Sequence, residues 1–294
     1  MSDIHPSDRL WTASARYLER PVLGLVSSQK VLRWAFLQAT RATTQLPPGT
    51  LQRQADDGSL WLVPPGVTGD APLILYIHGG GFTLGAPETH AGLAAHLAKA
   101  AGMRVVLPPY RLAPEHPFPA AKEDVVAAWT RLAREGHVPA AICGDSAGGC
   151  LALQLAVHLR DAGLPQPAAL GLIAPIGDLS ADVPDRIRNA PGEHLIPAAW
   201  AERIREAYLP EIDPADPSVS PLRGDLSGLP PAMIQAADGE VLAEDARRIA
   251  GAMDEAKLDL WPDLPHVWHL RAGRSPAADE AVVRLGRFLS EHAA

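Results

Sequence analysis

The sequence predicts an α/β fold in which a mostly parallel central sheet is flanked by helices and covered by a helical cap. Three observations carry that expectation. From residue 73 to residue 292, apolar runs of strand length alternate with helical patterns. The runs are apolar throughout rather than at every second residue, as strands buried on both faces must be. Two stretches, 1–45 and 178–231, break the alternation and stand where a cap can be built.

Taken in order, residues 1–45 read as N-terminal cap helices. Ser7-Asp8 can cap one helix running towards Arg20, and Ser27-Ser28 a second through Trp34 and Phe36. Pro47-Pro48-Gly49 closes this region. Asp57-Gly58 then suits a hairpin turn between Leu51–Ala55 and Leu60–Val63. The α/β domain is expected over 46–177 and 232–294. Its strands are Leu73–Ile77, Val105–Leu107, Ala140–Cys143, Ala169–Ala174, Ala232–Ala237 and Lys257–Trp261. Its helices are Glu88–Ala101 with Pro87 at the start and Gly102 past the end, Ala121–Glu135 before Gly136, Ala147–Ala162 before Gly163, Leu242–Asp254, and Ala277–His292. The insert 178–231 is expected to contribute to the cap and to hold one helix, Pro197–Tyr208.

Composition narrows the function. With 294 residues, 47% of them hydrophobic, the chain buries a core without disulfide or metal staples. A net charge of −8 disfavours phosphate backbones and anionic lipid, so nucleic acid is not an expected partner. The most apolar stretch, Pro21–Thr40, contains Lys30 and Arg33, which argues against a membrane span or stable anchoring. Met1-Ser2-Asp3 is followed by no basic n-region and no small-residue cleavage site, so a secretory signal is not expected. The two cysteines, Cys143 and Cys150, read as small buried hydrophobes in a reducing compartment, and a cytoplasmic location is expected.

The chemistry is concentrated in a few motifs. Gly144-Asp145-Ser146-Ala147-Gly148 fits G-x-S-x-G between a strand and a helix, the context of a nucleophile elbow that exposes Ser146 at the sheet's C-terminal edge. His78-Gly79-Gly80-Gly81-Phe82 follows the first buried strand. Its glycines let the backbone approach a substrate and aim N–H groups at a developing oxyanion, with the Ala147 N–H as a further donor. A phosphate loop is disfavoured because no Lys-Ser/Thr follows the glycines. A serine hydroxyl needs a base, and the base needs a carboxylate to orient it. Among eleven histidines, His266 stands in a proline-rich loop after the last core strand, within reach of the elbow, and His269 is read as structural.

These motifs make the sequence resemble the bacterial hormone-sensitive-lipase-like esterases, family IV lipolytic enzymes of the α/β-hydrolase fold. The resemblance extends through Tyr110-Arg111-Leu112-Ala113-Pro114-Glu115 with Phe118-Pro119-Ala120, Gly149, Asp216-Pro217-Ser218-Val219-Ser220-Pro221-Leu222 and Gly228-Leu229-Pro230-Pro231 to the histidine loop. It covers nearly the whole chain, least so residues 1–45. It implies a serine carboxylesterase acting on short- to medium-chain esters through an acyl-enzyme, with no cofactor and no metal. It also implies that Gly80 and Gly81 are the oxyanion donors of the glycine loop.

The chain departs from the family at the triad acid. Where the family has D-P-L-x-D, this sequence has Glu240-Val241-Leu242-Ala243-Glu244, and Leu242 fixes a register that puts Glu240 in the acid's place. Asp238, directly after a predicted strand, is the rival. The expected site is therefore Ser146, Glu240 and His266, with Gly80, Gly81 and Ala147 at the oxyanion.

Other candidates read more plainly. His90 and His96 are expected on a helix surface rather than at a metal, since no third ligand stands nearby. Glu115 and Asp124 suit buried capping or salt bridges. Trp11, Trp34 and Trp200 fit an acyl channel and helix core equally well. A lactonase, amidase or deacetylase would use the same triad. A ligand receptor on this fold, like the plant gibberellin receptors, would lack the catalytic histidine that is present here. A homodimer stays open.

Overall fold

The computed structural model describes residues 5–180, 183–188 and 190–293. The reading of Met1–Asp3 lies outside them, as do residues 181, 182 and 189 of the insert.

Eight strands form one sheet in the order β1-β2-β4-β3-β5-β6-β7-β8. They are β1 (Leu51–Gln54), β2 (Leu60–Val63), β3 (Leu73–Ile77), β4 (Arg104–Leu107), β5 (Ala141–Asp145), β6 (Ala169–Ile173), β7 (Ala232–Asp238) and β8 (Ala256–Pro262). The hairpin β1–β2 and the β2–β4 pair are antiparallel, and every other pair is parallel. Parallel neighbours need crossover helices, which is why the long apolar runs alternate with helical patterns. These helices are α4 (Pro87–Ala101), α5 (Ala120–Arg134), α6 (Ala147–Asp161) and α9 (Ala243–Ala252), while α10 (Pro276–His292) follows the last strand and packs back on the sheet.

Side chains alternate across each strand, and β3 shows where they go. Leu73, Leu75 and Ile77 pack with Val125 and Trp129 of α5 and Leu151 and Leu155 of α6, whereas Ile74 and Tyr76 pack on the other face with Leu93 and Leu97 of α4 and Val282 and Leu285 of α10. The second layer depends on close helix contact. A Cβ on Gly286 of α10 would lie 2.6 Å from Ala100 Cβ and 2.8 Å from its carbonyl carbon. Gly286→Ala is expected to lower unfolding stability by about 1–3 kcal/mol through overpacking, read from urea titration; an unchanged midpoint would contradict this packing.

The cap region differs from expectation in detail. The first helix, α1 (Pro6–Ser14), runs through a π-helical turn at Ala15–Glu19 into α2 (Arg20–Leu25). Its cap is His5, whose Nδ1 accepts the Ser7 N–H at 3.3 Å, rather than Ser7 or Asp8. Asp8 is instead buried and accepts from the Ser275 hydroxyl. In α3 (Gln29–Thr43), Ser28 does cap, accepting the Val31 N–H.

The insert holds α8 (Ala198–Tyr208) as expected, and also α7 (Val183–Arg188) and a 3-10 turn at Pro221–Arg223. The sequence reading missed these because such short, Pro- and Arg-bearing segments carry no readable apolar period. Arg203 of α8 donates to Leu23 O at 2.6 Å and Gly24 O at 3.2 Å, which joins the insert to α2. Among the described residues, no helix is long and apolar enough to cross a membrane.

Candidate active site

The site is built where β5 turns into α6. Ser146 sits between them at φ 53° and ψ −119°, a strained conformation for a residue with a side chain. Its N–H donates to Ile173 O at 2.8 Å, which anchors the turn to β6. The turn is closed too tightly for a side chain on either flank. A Cβ on Gly148 would meet Ile77 O at 2.1 Å, and one on Gly144 would meet Gly148 O at 2.4 Å. Ala147 is the first residue of α6, so its N–H is one of the donors that a helix start leaves without an intrahelical partner.

The glycine loop after β3 packs directly on this turn. Gly80 and Gly81 have φ of 121° and 60°, and among the described residues neither N–H has a hydrogen-bond acceptor. Gly79 N–H donates to Asp145 Oδ1 at 3.1 Å. Asp145 also accepts from the Tyr76 hydroxyl at 2.9 Å and stands 3.3 Å from His90 Nε2. One buried carboxylate thus ties the turn, the glycine loop and α4 together. Burial works to raise the Asp145 pKa, but His90 and then the Tyr76 hydroxyl outweigh it and hold the carboxyl below its ordinary range.

His90 corrects an expectation. It is buried rather than on the helix surface, with Nδ1 on Thr89 Oγ1 at 2.8 Å and Nε2 towards Asp145. The face of α4 that carries it lies against the sheet and the glycine loop, a placement that helical periodicity alone does not reveal. His96 is half-buried.

The candidate base and acid come from two loops at the far half of the sheet. His266 follows β8, and its Nδ1 bonds Glu240 Oε2 in the buried interior. The other Glu240 oxygen accepts the Ala237 N–H at 2.8 Å, so the carboxylate is held at both ends. The rival, Asp238, ends β7 as an exposed residue and pairs with Arg247. The structure therefore brings Glu240 and not Asp238 to His266. Burial acts to lower the His266 pKa, but Glu240 and then Glu193 push it the other way, and the net direction is upward. His269 is a core residue on Gln235 Oε1 at 3.0 Å, and burial pushes its pKa down to about 3.

Ser146, His266 and Gly80 line one cavity of about 380 Å³. Its other walls are largely apolar, with Leu18 and Val22 from the first cap helices, Leu32 and Phe36 from α3, and Trp200 from α8. Of the three cap tryptophans, Trp200 alone lines it. Trp11 lies under the Arg271 guanidinium at 4.7 Å, and Trp34 is exposed. Ile204 and Trp200 also cover the glycine loop, since a Cβ on Gly81 would meet Ile204 Cδ1 at 2.3 Å. Glu115 and Asp124 form salt bridges with Arg33 and Arg111, as expected, but Glu115 is exposed and Asp124 only half-buried. Three polar residues were not foreseen as parts of the site: Asp145, His90 and Glu193. Only Asp145 carried a signal, its place inside the elbow motif.

A family model described as the alpha/beta hydrolase fold matches residues 74–270. The chain is 39% identical to an acetyl-hydrolase of Streptomyces hygroscopicus over 87% of its own length and 88% of that protein. It is 36% identical to an esterase of Acinetobacter venetianus over 74% of each. Among solved structures, an esterase from the bacterial hormone-sensitive lipase family superposes with a TM-score of 0.90 at 34% identity, covering 100% of both chains. The esterase EstE5, soaked with p-nitrophenyl butyrate, superposes with a TM-score of 0.88 at 32% identity, covering 98% of this chain and 99% of that one.

Proposed function

Because the chain belongs to the α/β-hydrolase family, and within it to the hormone-sensitive-lipase-like esterases, we propose that its carboxylesterase activity runs through Ser146, His266 and Glu240. The single observation that carries this reading is the buried His266–Glu240 contact, with His266 lining the same cavity as Ser146 and as Gly80, whose N–H has no acceptor among the described residues.

With Nδ1 engaged by Glu240, the His266 Nε2 is left for the Ser146 hydroxyl. His266 takes that proton as Oγ attacks the ester carbonyl, and Glu240 stabilises the resulting imidazolium. The N–H groups of Gly80, Gly81 and Ala147 hold the oxyanion. They cost no reorganisation, because two are fixed in a loop clamped by Asp145 and one sits at a helix start. The imidazolium then protonates the departing alcohol. Water, deprotonated by His266, releases the acid and restores Ser146.

The N-terminal helices and the insert act together as the cap, joined by Arg203 and by Arg20, whose Nη1 donates to Ile196 O at 2.9 Å. A cavity of about 380 Å³ is at the small end of the roughly 300–1,000 Å³ typical of ligand pockets. It suits short- to medium-chain acyl esters, acetyl among them. Buried, unpaired Cys143 and Cys150 support a cytoplasmic location.

The test is a pH profile of kcat/KM on p-nitrophenyl butyrate. His266 must be neutral to act as base, and the carboxylates beside it raise its pKa, so activity is lost as pH falls through that raised value. The acid limb is expected above the ordinary imidazole value of about 6.5. A limb well below it contradicts the assignment of His266.

A further inference from the structure

The loop between α7 and α8 carries a second carboxylate into the interior beside His266 and Glu240. Glu193 has only 1% of its side chain exposed. Its Oε1 accepts the N–H groups of Leu195 at 2.7 Å and Ile196 at 2.6 Å, and its Oε2 accepts the N–H of Val241 at 3.1 Å. Val241 directly follows Glu240. The two loops are stitched once more by Gly192 N–H donating to Gly239 O at 3.1 Å. Their backbones are close enough that a Cβ on Gly192 would lie 3.2 Å from the Gly239 carbonyl carbon.

Among the described residues, every direct hydrogen-bond partner of the Glu193 carboxylate is a donor. A protonated acid would have to displace one of these N–H groups, so hydrogen bonding favours the anion. Burying an anion is costly unless it is compensated, and Glu193 stands near a second anion, Glu240. Burial and Glu240 accordingly push its pKa above the usual carboxylate range, while His266 pulls it down. The cations that face it are Arg20, with Nη1 at 3.9 Å from Oε1, and His266 once it is protonated.

We propose that Glu193 is a positioning residue for the acid–base pair: it pins the Glu240 loop through Val241 and supplies a second buried negative charge that stabilises the His266 imidazolium as Ser146 attacks. This rests on the reading of Ser146, His266 and Glu240 given above. Among the described residues, the charged and titratable groups that bear on His266 are Glu240 from the turn between β7 and α9, Glu193 from the insert, Asp145 from the elbow, and His269. Of these, Glu193 is contributed by the insert rather than by the sheet and its loops, so it links the cap to the chemistry. It does not line the cavity, although its neighbour Leu195 does.

Glu193→Gln keeps the shape and removes the charge. It is expected to lower kcat about tenfold with KM changed less than about twofold, and to move the acid limb of kcat/KM down by roughly 0.5–1 pH unit. Glu193→Asp, which keeps the charge, is expected to leave the limb at its wild-type position. A merely structural tie would reduce kcat without moving the limb, so an unmoved limb in Glu193→Gln overturns the proposal. Should Glu193→Gln fail to fold, Glu193→Asp decides: an unmoved limb with kcat within about threefold of wild type supports the proposal, whereas a limb lowered with the charge retained, or a kcat lost with the limb unmoved, overturns it. Labelling of the wild-type protein by a fluorophosphonate separates the two readings. An unlabelled protein defeats the Ser146–His266–Glu240 assignment itself, whereas a labelled protein with the Glu193→Gln limb unmoved defeats only the role of Glu193.

Discussion

Replacing Ser146 by alanine is expected to reduce kcat on p-nitrophenyl butyrate by about 10⁴- to 10⁶-fold, with a folded protein that no longer takes up one fluorophosphonate per chain. The size of the loss follows from the mechanism: without Oγ no acyl-enzyme forms, and only the oxyanion donors remain to assist direct attack by water. The substitution removes an atom that faces the cavity and touches none of the packing that shapes the elbow, which depends on Gly144 and Gly148. Stability should therefore be unchanged or higher, since the strained turn stays and no buried group loses a partner. Turnover within tenfold of wild type, measured on protein free of contaminating esterase, would sink the scheme.

The second large effect is at the acid. Glu240→Gln is expected to lower kcat by about 10³- to 10⁴-fold with little change in KM, because an amide cannot stabilise the imidazolium and can hold the ring in the wrong tautomer. Asp238→Asn should change kcat less than about threefold. Asp238 is exposed and engaged with Arg247, and an exposed pair of this kind contributes at most about 1 kcal/mol to stability. The pair of variants decides between two carboxylates two residues apart. A collapse of kcat in Asp238→Asn alone would reverse the assignment.

That choice shows what a linear reading could and could not do here. Leu242 fixed the register that favoured Glu240, yet aspartate is the commoner acid and Asp238 directly follows the strand. The structure separates them because β7 continues through Asp238, which pairs in register with Pro262 of β8 and is exposed. Glu240 lies in the following turn, where its longer side chain reaches inward and its second oxygen is satisfied by Ala237 N–H. His90 was misjudged for a related reason. A histidine on a helix with small apolar neighbours shows no signal of what it will face, and its partner Asp145 is 55 residues away. Glu193 was invisible for the same reason, since its meaning depends on a loop 48 residues later in the chain.

The order of strands and helices, the elbow and the glycine loop were legible because each rests on local physics. Apolar period, helix caps and the steric tolerance of glycine act between residues close in the chain, and the motif spacing records them directly. Which carboxylate meets His266, which histidine is buried behind Asp145, and how the insert brings Glu193 to the Glu240 loop were decided only by packing. Those contacts join segments far apart in sequence, and their energies depend on burial and on the direction a side chain takes from its backbone, neither of which exists until the sheet and its cap are assembled.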